Sequence, residues 1–299
     1  MRLGCIGIGS NAIRLLVASW EKGQLCAVRR ERRGTRLFAG LVGGALTEES
    51  MKSSVNAVGE LARCARADGA QEIFVFATSA VRDAANGSEF TARCEAACGV
   101  KVEIVSGEEE AVLSYIGASD GGKCGMIDIG GGSTEFTLGD GAAIVGAVSL
   151  QMGAVRMNAQ RPILKYEDYA ATVEQCRRMI QRDAQSLLAL DMKPDWVGVG
   201  GTMTTLGAMQ RAIPLFDADT CEGMTVSLAD VTGWGKRLAR MSLAERRQVP
   251  GLMAHRADII PSGVAILEAA MREFDIDTLR LSAHGNMDGY LKKKFQKRD

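Results

Sequence analysis

The amino-acid sequence predicts an α/β protein built from two domains. Three observations carry that expectation. A chain of 299 residues with 46% hydrophobic positions is longer than one core usually serves. Short apolar runs of strand length alternate along it with segments of helical periodicity. A glycine turn after an apolar run also occurs twice, at Gly7-Ile8-Gly9-Ser10-Asn11 and at Asp128-Ile129-Gly130-Gly131-Gly132-Ser133-Thr134, 121 residues apart.

The first repeat opens with three strands. Leu3 to Gly9 is apolar and ends in glycine, and Ile13 to Trp20 and Leu25 to Arg33 flank a tight turn at Glu21-Lys22-Gly23-Gln24. From Thr47 the period changes. Thr47-Glu48-Glu49 reads as an N-cap, apolar residues from Met51 to Ala65 recur at helical spacing, and Gly69 closes the helix. A buried strand at Ile73 to Ala77, a helix at Ser88 to Cys98, a strand at Val102 to Val105 and a helix at Gly107 to Ala118 complete a βββαβαβα order. The second repeat begins with strands at Cys124 to Ile129, Thr134 to Leu138 and Ala142 to Leu150. Long helices follow at Tyr166 to Leu190 and Arg256 to Phe274. Between them a strand, Trp196 to Val199, enters the helix opened by Gly200-Gly201-Thr202, and a last short strand lies at Leu279 to Leu281. No low-complexity linker separates the halves, so a shared cleft is expected.

Composition excludes several function classes. Lys+Arg 36 against Asp+Glu 36 gives no net charge, so no global field exists to hold nucleic acid or an anionic membrane. No apolar stretch reaches the roughly 20 residues of a bilayer span, and the first residues lack a signal-peptide pattern. The expectation is a soluble, cytoplasmic protein. The eight cysteines contain no CxxC pair and read as reduced core residues, and two histidines cannot build a zinc site. A metal would have to be a hard ion held by carboxylates and phosphates.

Taken alone, Gly7-Ile8-Gly9-Ser10-Asn11-Ala12 matches the GxGxxA dinucleotide fingerprint. That fingerprint needs a helix directly after the glycines, and here a hairpin follows. The glycine turns instead suit phosphate, because glycine allows close approach and lets backbone N–H groups face an anion. Glu108, Glu109 and Glu110 open a helix, which the helix dipole alone would explain. Beside a glycine loop and Arg82, a carboxylate can also deprotonate water for phosphoanhydride hydrolysis. Asp128 ends a strand before three glycines, where magnesium is a natural partner. The arginines at 29, 30, 32, 33 and 36 and the lysines at 292, 293, 294 and 297 with Arg298 read as solvated faces, with a polyphosphate track as the sharper alternative.

Several segments together resemble one family. Ser10-Asn11 with Ile13-Arg14-Leu15-Leu16, Thr35-Arg36-Leu37 with Gly40-Leu41, Ala77-Thr78-Ser79-Ala80-Val81-Arg82-Asp83, Ser106-Gly107-Glu108-Glu109-Glu110-Ala111, Ile127 to Glu135, Gly198-Val199-Gly200-Gly201-Thr202 and Arg256-Ala257-Asp258 are similar, in this order, to motifs of the Ppx/GppA phosphatases, members of the actin-like ATPase superfamily. The resemblance implies two RNase H-like domains flanking a central cleft, near residues 1–121 and 122–299, with the last helix packing back on the first domain. It implies a short two-domain form that releases terminal orthophosphate from inorganic polyphosphate, with guanosine pentaphosphate the next substrate candidate. It assigns Glu110 as base and Arg82 as the guanidinium on the terminal phosphoryl group. Phosphate would be held by Ser10, Asn11, Thr78, Ser79, Gly130, Gly131, Gly132, Ser133, Gly200, Gly201 and Thr202, and Mg2+ by Asp128 and Glu135. It leaves room for a homodimer. Two positions depart from the family: Gly7 replaces the usual aspartate and Ala12 a serine, so a polyphosphate- or guanosine-phosphate-binding protein of impaired activity is the alternative.

Overall fold

The computed structural model describes residues 1–141, 143–213 and 219–298. In chain order the elements are β1 (Arg2–Ile8), β2 (Ile13–Glu21), β3 (Gln24–Arg33), β4 (Leu41–Val42), β5 (Ala45–Leu46), α1 (Glu48–Ala67), β6 (Glu72–Ala77), α2 (Ser79–Arg82), α3 (Gly87–Cys98), β7 (Val102–Ile104) and α4 (Gly107–Ala118). Then come β8 (Lys123–Ile129), β9 (Thr134–Asp140), β10 (Ala143–Leu150), α5 (Ala154–Gln160), α6 (Tyr166–Asp183), α7 (Gln185–Leu188), β11 (Asp195–Val199) and α8 (Gly201–Gln210). The chain continues through β12 (Thr225–Ser227), α9 (Leu228–Ala239), α10 (Leu243–Arg246), α11 (Ile260–Glu273), β13 (Thr278–Leu281) and α12 (Asn286–Gln296). Two compact units result: Met1–Gly117 with the segment from Asn286 onward, and Ala118–Gly285.

Each unit is α/β around a mixed sheet. In the first, the order β3-β2-β1-β6-β7 joins an antiparallel meander to parallel strands. Lys22 and Gly23, both at positive φ, make the two-residue turn that suits the twist of the β2–β3 hairpin. The second sheet runs β10-β9-β8-β11-β13-β12, with β8 in the place of β1 and β12 added as an antiparallel edge. The internal repeat of the sequence is thus a repeat of topology.

Thr47 caps α1 by accepting from the Ser50 N–H, and the buried face carries Met51, Val58, Leu61, Ala62 and Ala65 at the expected spacing. On the first sheet, Leu3, Cys5, Leu16, Ala18 and Phe76 form one core with Met287, Tyr290, Leu291 and Phe295 of α12. Tyr290 stacks on Phe76 at 5.2 Å and Phe295 on Trp20 at 5.7 Å between ring centroids. Each of these buried large side chains contributes roughly 1.5–3 kcal/mol of burial energy, which holds a helix nearly 300 residues from its strand in sequence. In the second unit, α11 packs between α6 and α9 over a core that includes Ile127, Ile129 and Phe136.

The structure departs from the sequence reading at identifiable places. The helix expected over Tyr166 to Leu190 breaks at Ala184, where the backbone leaves helical geometry and turns buried Leu187 over Gly146 of β10. The helix expected from Arg256 starts instead at Ile260, because Pro261 sets the first turn and Arg256 ends a separate 3-10 turn. Arg82 closes the short helix α2, an element not among those expected. Ala142, the expected first residue of the third strand, lies outside the described residues; the sequence reading omits α5, α9 and β12, although Ser227 and Asp230 mark the start of α9 with a reciprocal cap.

Six cysteines are buried, but Cys26 and Cys64 are half-buried rather than core residues, because β3 and the outer face of α1 meet solvent. Burial pushes the thiols of Cys94 and Cys176 up to about 12 and that of Cys124 up to about 11, and raises Cys5 well above its ordinary value. Since the thiolate is the reactive form, these thiols are inert at neutral pH. Alkylation of the reduced native protein, mapped by peptide mass, is expected at Cys26 and Cys64. Modification of Cys94 or Cys176 before unfolding would contradict this packing.

Candidate active site

The two glycine turns are built alike. Gly9 N–H donates to the Ala12 carbonyl at 3.1 Å, and Gly130 N–H to the Ser133 carbonyl at 3.0 Å. In the first turn the Ser10 carbonyl accepts from Phe38 N–H and the Asn11 carbonyl from Arg36 N–H. In the second, the carbonyls of Gly130 and Gly131 accept from the first turn of α5, and the Gly132 carbonyl accepts Arg156 Nε at 2.6 Å. A planar trans peptide points its N–H opposite to its C=O. Tying back the carbonyls therefore turns the N–H groups of Asn11 and Ala12, and those of Gly131, Gly132 and Ser133, away from the anchoring segment. Gly153 is needed at the start of α5, because a Cβ there would overlap the Gly131–Gly132 peptide.

In the first unit the predicted residues converge. Thr78 N–H extends from the β1 end by donating to the Ile8 carbonyl, and the buried hydroxyls of Ser10 and Ser79 lie 2.9 Å apart. Arg82 Nη1 donates to the Val105 carbonyl at 2.9 Å and stands 3.6 Å from Glu110 Oε2. Arg82 Nη2 and Asn11 Nδ2 are buried with no acceptor among the described residues. These two donors match what an anion would require.

The three glutamates of α4 separate by environment. Glu109 and Ser106 form a reciprocal cap, with Ser106 N–H donating to Glu109 Oε2 and Glu109 N–H to the Ser106 hydroxyl. Glu108 is exposed, and only Glu110 of the three is buried and turned toward Arg82. Asn286, unmarked in the sequence, donates from Nδ2 to Glu110 Oε1 at 3.5 Å and accepts from Arg14 Nη2 at 3.1 Å.

In the second unit Asp128 and Glu135 are register partners on β8 and β9, so both buried carboxylates share one face of the sheet. Ser149 donates to Glu135 Oε1 at 2.7 Å. Gly200, at φ 99°, brings its backbone against Asp128, and a Cβ there would stand 2.7 Å from Asp128 Oδ1. The Arg256 guanidinium packs on Gly201 at the start of α8, and Thr202 is buried beside it. Arg256 belonged to a family-like motif in the sequence, but its contact with Gly201 had no local signal.

Three arginines of the β3 cluster are paired within their own unit. Arg29 pairs with Asp68, Arg30 with Asp288, and Arg33 with Glu31 and Glu60. At the other cluster Lys292 caps the Ile116 and Gly117 carbonyls, and Lys294 lies over the rings of Phe74 and Tyr290. Lys293 and Lys297 border a cavity of about 350 Å³ whose other wall carries Glu103, Glu108 and Glu109. Carboxylates facing the lysines make this a poor polyanion track. Among the described residues, no helix is long and apolar enough to cross a membrane.

Comparison with known proteins bears on the family and the fold. The Ppx/GppA phosphatase family model matches residues 16–298. The chain is 32% identical over 310 residues to Exopolyphosphatase 2 of Mycobacterium tuberculosis, covering 96% of this chain and 97% of the relative. The crystal structure of an exopolyphosphatase-like protein superposes with a TM-score of 0.91 at 26% identity, covering 98% of this chain and 97% of that one. The Aquifex aeolicus member of the Ppx/GppA family superposes with a TM-score of 0.83 at 25% identity, covering 100% and 99%.

The Gly200 contact is open to a direct check. Gly200→Ala is expected to cost about 1–3 kcal/mol in urea unfolding through strain at positive φ and the clash with Asp128. Gly233→Ala, on α9 in the same unit with nothing near its Cβ, is expected to stabilise by about 0.5–1 kcal/mol.

Proposed function

Because this chain belongs to the Ppx/GppA phosphatase family, we propose that it is a phosphoanhydride hydrolase that releases orthophosphate from the end of inorganic polyphosphate. Guanosine pentaphosphate, with a terminal phosphoanhydride of the same kind, is the second substrate. The observation that carries the reading is the buried Glu110 carboxylate 3.6 Å from an Arg82 guanidinium that keeps one nitrogen without an acceptor among the described residues.

Water attacks the terminal phosphorus while the bond from that phosphorus to the bridging oxygen breaks. Glu110 takes the proton of the water, and the shortened chain leaves with the bridging oxygen. Arg82 Nη2 neutralises charge on the equatorial oxygens of the transferred group. Ser10, Asn11, Thr78 and Ser79 supply donors in the first unit. The second unit carries phosphate donors of its own, the outward N–H groups of Gly131, Gly132 and Ser133 and the α8 N-terminus at Gly200, Gly201 and Thr202.

Asp128 and Glu135 fit magnesium. Two neighbouring buried carboxylates suit an ion that takes one or two protein ligands and fills its other positions with water and phosphate oxygens. Among the described residues no group of three His, Cys, Asp or Glu side chains could hold a metal ion alone. When bound, magnesium supplies positive charge that screens the phosphate chain.

Phosphate release from polyphosphate and from guanosine pentaphosphate, measured with and without magnesium, tests the reading. Glu110→Gln is expected to lower kcat by about 10²–10⁴, and Arg82→Ala by about 10²–10³. Chelation of magnesium is expected to abolish release reversibly. Saturable binding without release would favour a binding protein, the reading that Gly7 raises: residue 7 offers no carboxylate, and a Cβ there would stand 3.2 Å from Met287 Cγ.

A further inference from the structure

The buried carboxamide of Asn286 lies between two charged groups of the first unit. Arg14 has donors only, so its 3.1 Å contact fixes the near end of the carboxamide as Oδ1 and leaves Nδ2 facing Glu110 Oε1 at 3.5 Å. The second oxygen of Glu110 faces Arg82. Arg14 is the register partner of Gly7, so no side chain on the neighbouring strand position offers it an acceptor, and Met287 fills the space there.

We infer that Asn286 is a positioning residue for Glu110: oriented by Arg14, it holds one carboxylate oxygen with a neutral N–H so that the other is presented beside Arg82. This rests on the reading of Glu110 as the base. A neutral donor suits the task. It holds the plane of the ionised carboxylate, whereas a second cation, added to the Arg82 guanidinium already 3.6 Å away, would lower the proton affinity of the base further. Asn286 keeps the Arg14 charge one side chain away, and that charge polarises the amide toward Glu110. Arg82 from α2 stands 3.6 Å from Glu110, Glu109 of the same helix is engaged with Ser106, and Asp288 on α12 is held by Arg30 at 2.6 Å.

The test compares Asn286→Leu, which removes the donor, with Asn286→Asp, which keeps the shape and adds a carboxylate. In polyphosphate hydrolysis Asn286→Leu is expected to lower kcat about tenfold with KM little changed, and to move the acid limb of the rate to higher pH by about half a pH unit. Asn286→Asp is expected to move that limb further, by about one pH unit, through like-charge repulsion. A uniform loss with the limb in place, or no change, overturns the inference. The titration of the Glu110 carboxyl by carbon-13 NMR, assigned with Glu110→Gln, reads the same displacement without turnover. If the native protein releases no phosphate, the hydrolase reading fails by itself, and this titration still decides. An unchanged Glu110 midpoint in the isosteric Asn286→Asp protein overturns the inference even if Asn286→Leu does not fold.

Discussion

A turn that offers N–H groups to an anion must first dispose of its carbonyls, because each peptide carries both groups in opposite directions. Much of the structure around the two glycine turns answers that constraint. The segment through Arg36 and Phe38 takes the carbonyls of Ser10 and Asn11, and α5 with Arg156 takes those of Gly130, Gly131 and Gly132. Two different elements, a 3-10 turn and a helix N-terminus, thus do the same work on repeated turns. The small residues at Gly153 and Gly200 follow from it, since they let backbone approach the loop and Asp128 closely.

Charge is distributed by the same logic of local pairing. The net charge is zero, and three of the arginines of β3, Arg29, Arg30 and Arg33, meet carboxylates inside their unit. The exposed pairs among them contribute little stability. Their effect is to remove those three cations from competition for an anion, while Arg82, away from β3, keeps a buried nitrogen without an acceptor among the described residues.

The sequence made legible what is local. The glycine turns, the β2–β3 hairpin and the α1 cap each depend on residues within a few positions of one another, and their chemistry is written in that order. The run Glu108-Glu109-Glu110 was visible as a helix start, but burial alone distinguishes the cap at Glu109 from the inward carboxylate at Glu110. The break at Ala184 escaped because apolar periodicity continues through it, and only the packing of Leu187 on β10 favours the turn. Asn286 escaped for a different reason. It lies 176 residues from Glu110 and 272 from Arg14, and although the family resemblance implied that the last helix returns to the first unit, nothing near Asn286 marks it as the residue that meets Glu110.

That return has a consequence for how the chain comes to be folded. The second unit is continuous in sequence, whereas the first is interrupted by it and regains α12 only afterwards. A ribosome delivers all of Ala118–Gly285 before Met287, Tyr290, Leu291 and Phe295 emerge. Until then Leu3, Cys5, Leu16, Ala18 and Phe76 present an uncovered apolar sheet face, the kind of surface that recruits chaperones and seeds aggregation. The part of the chain made first is therefore the part completed last.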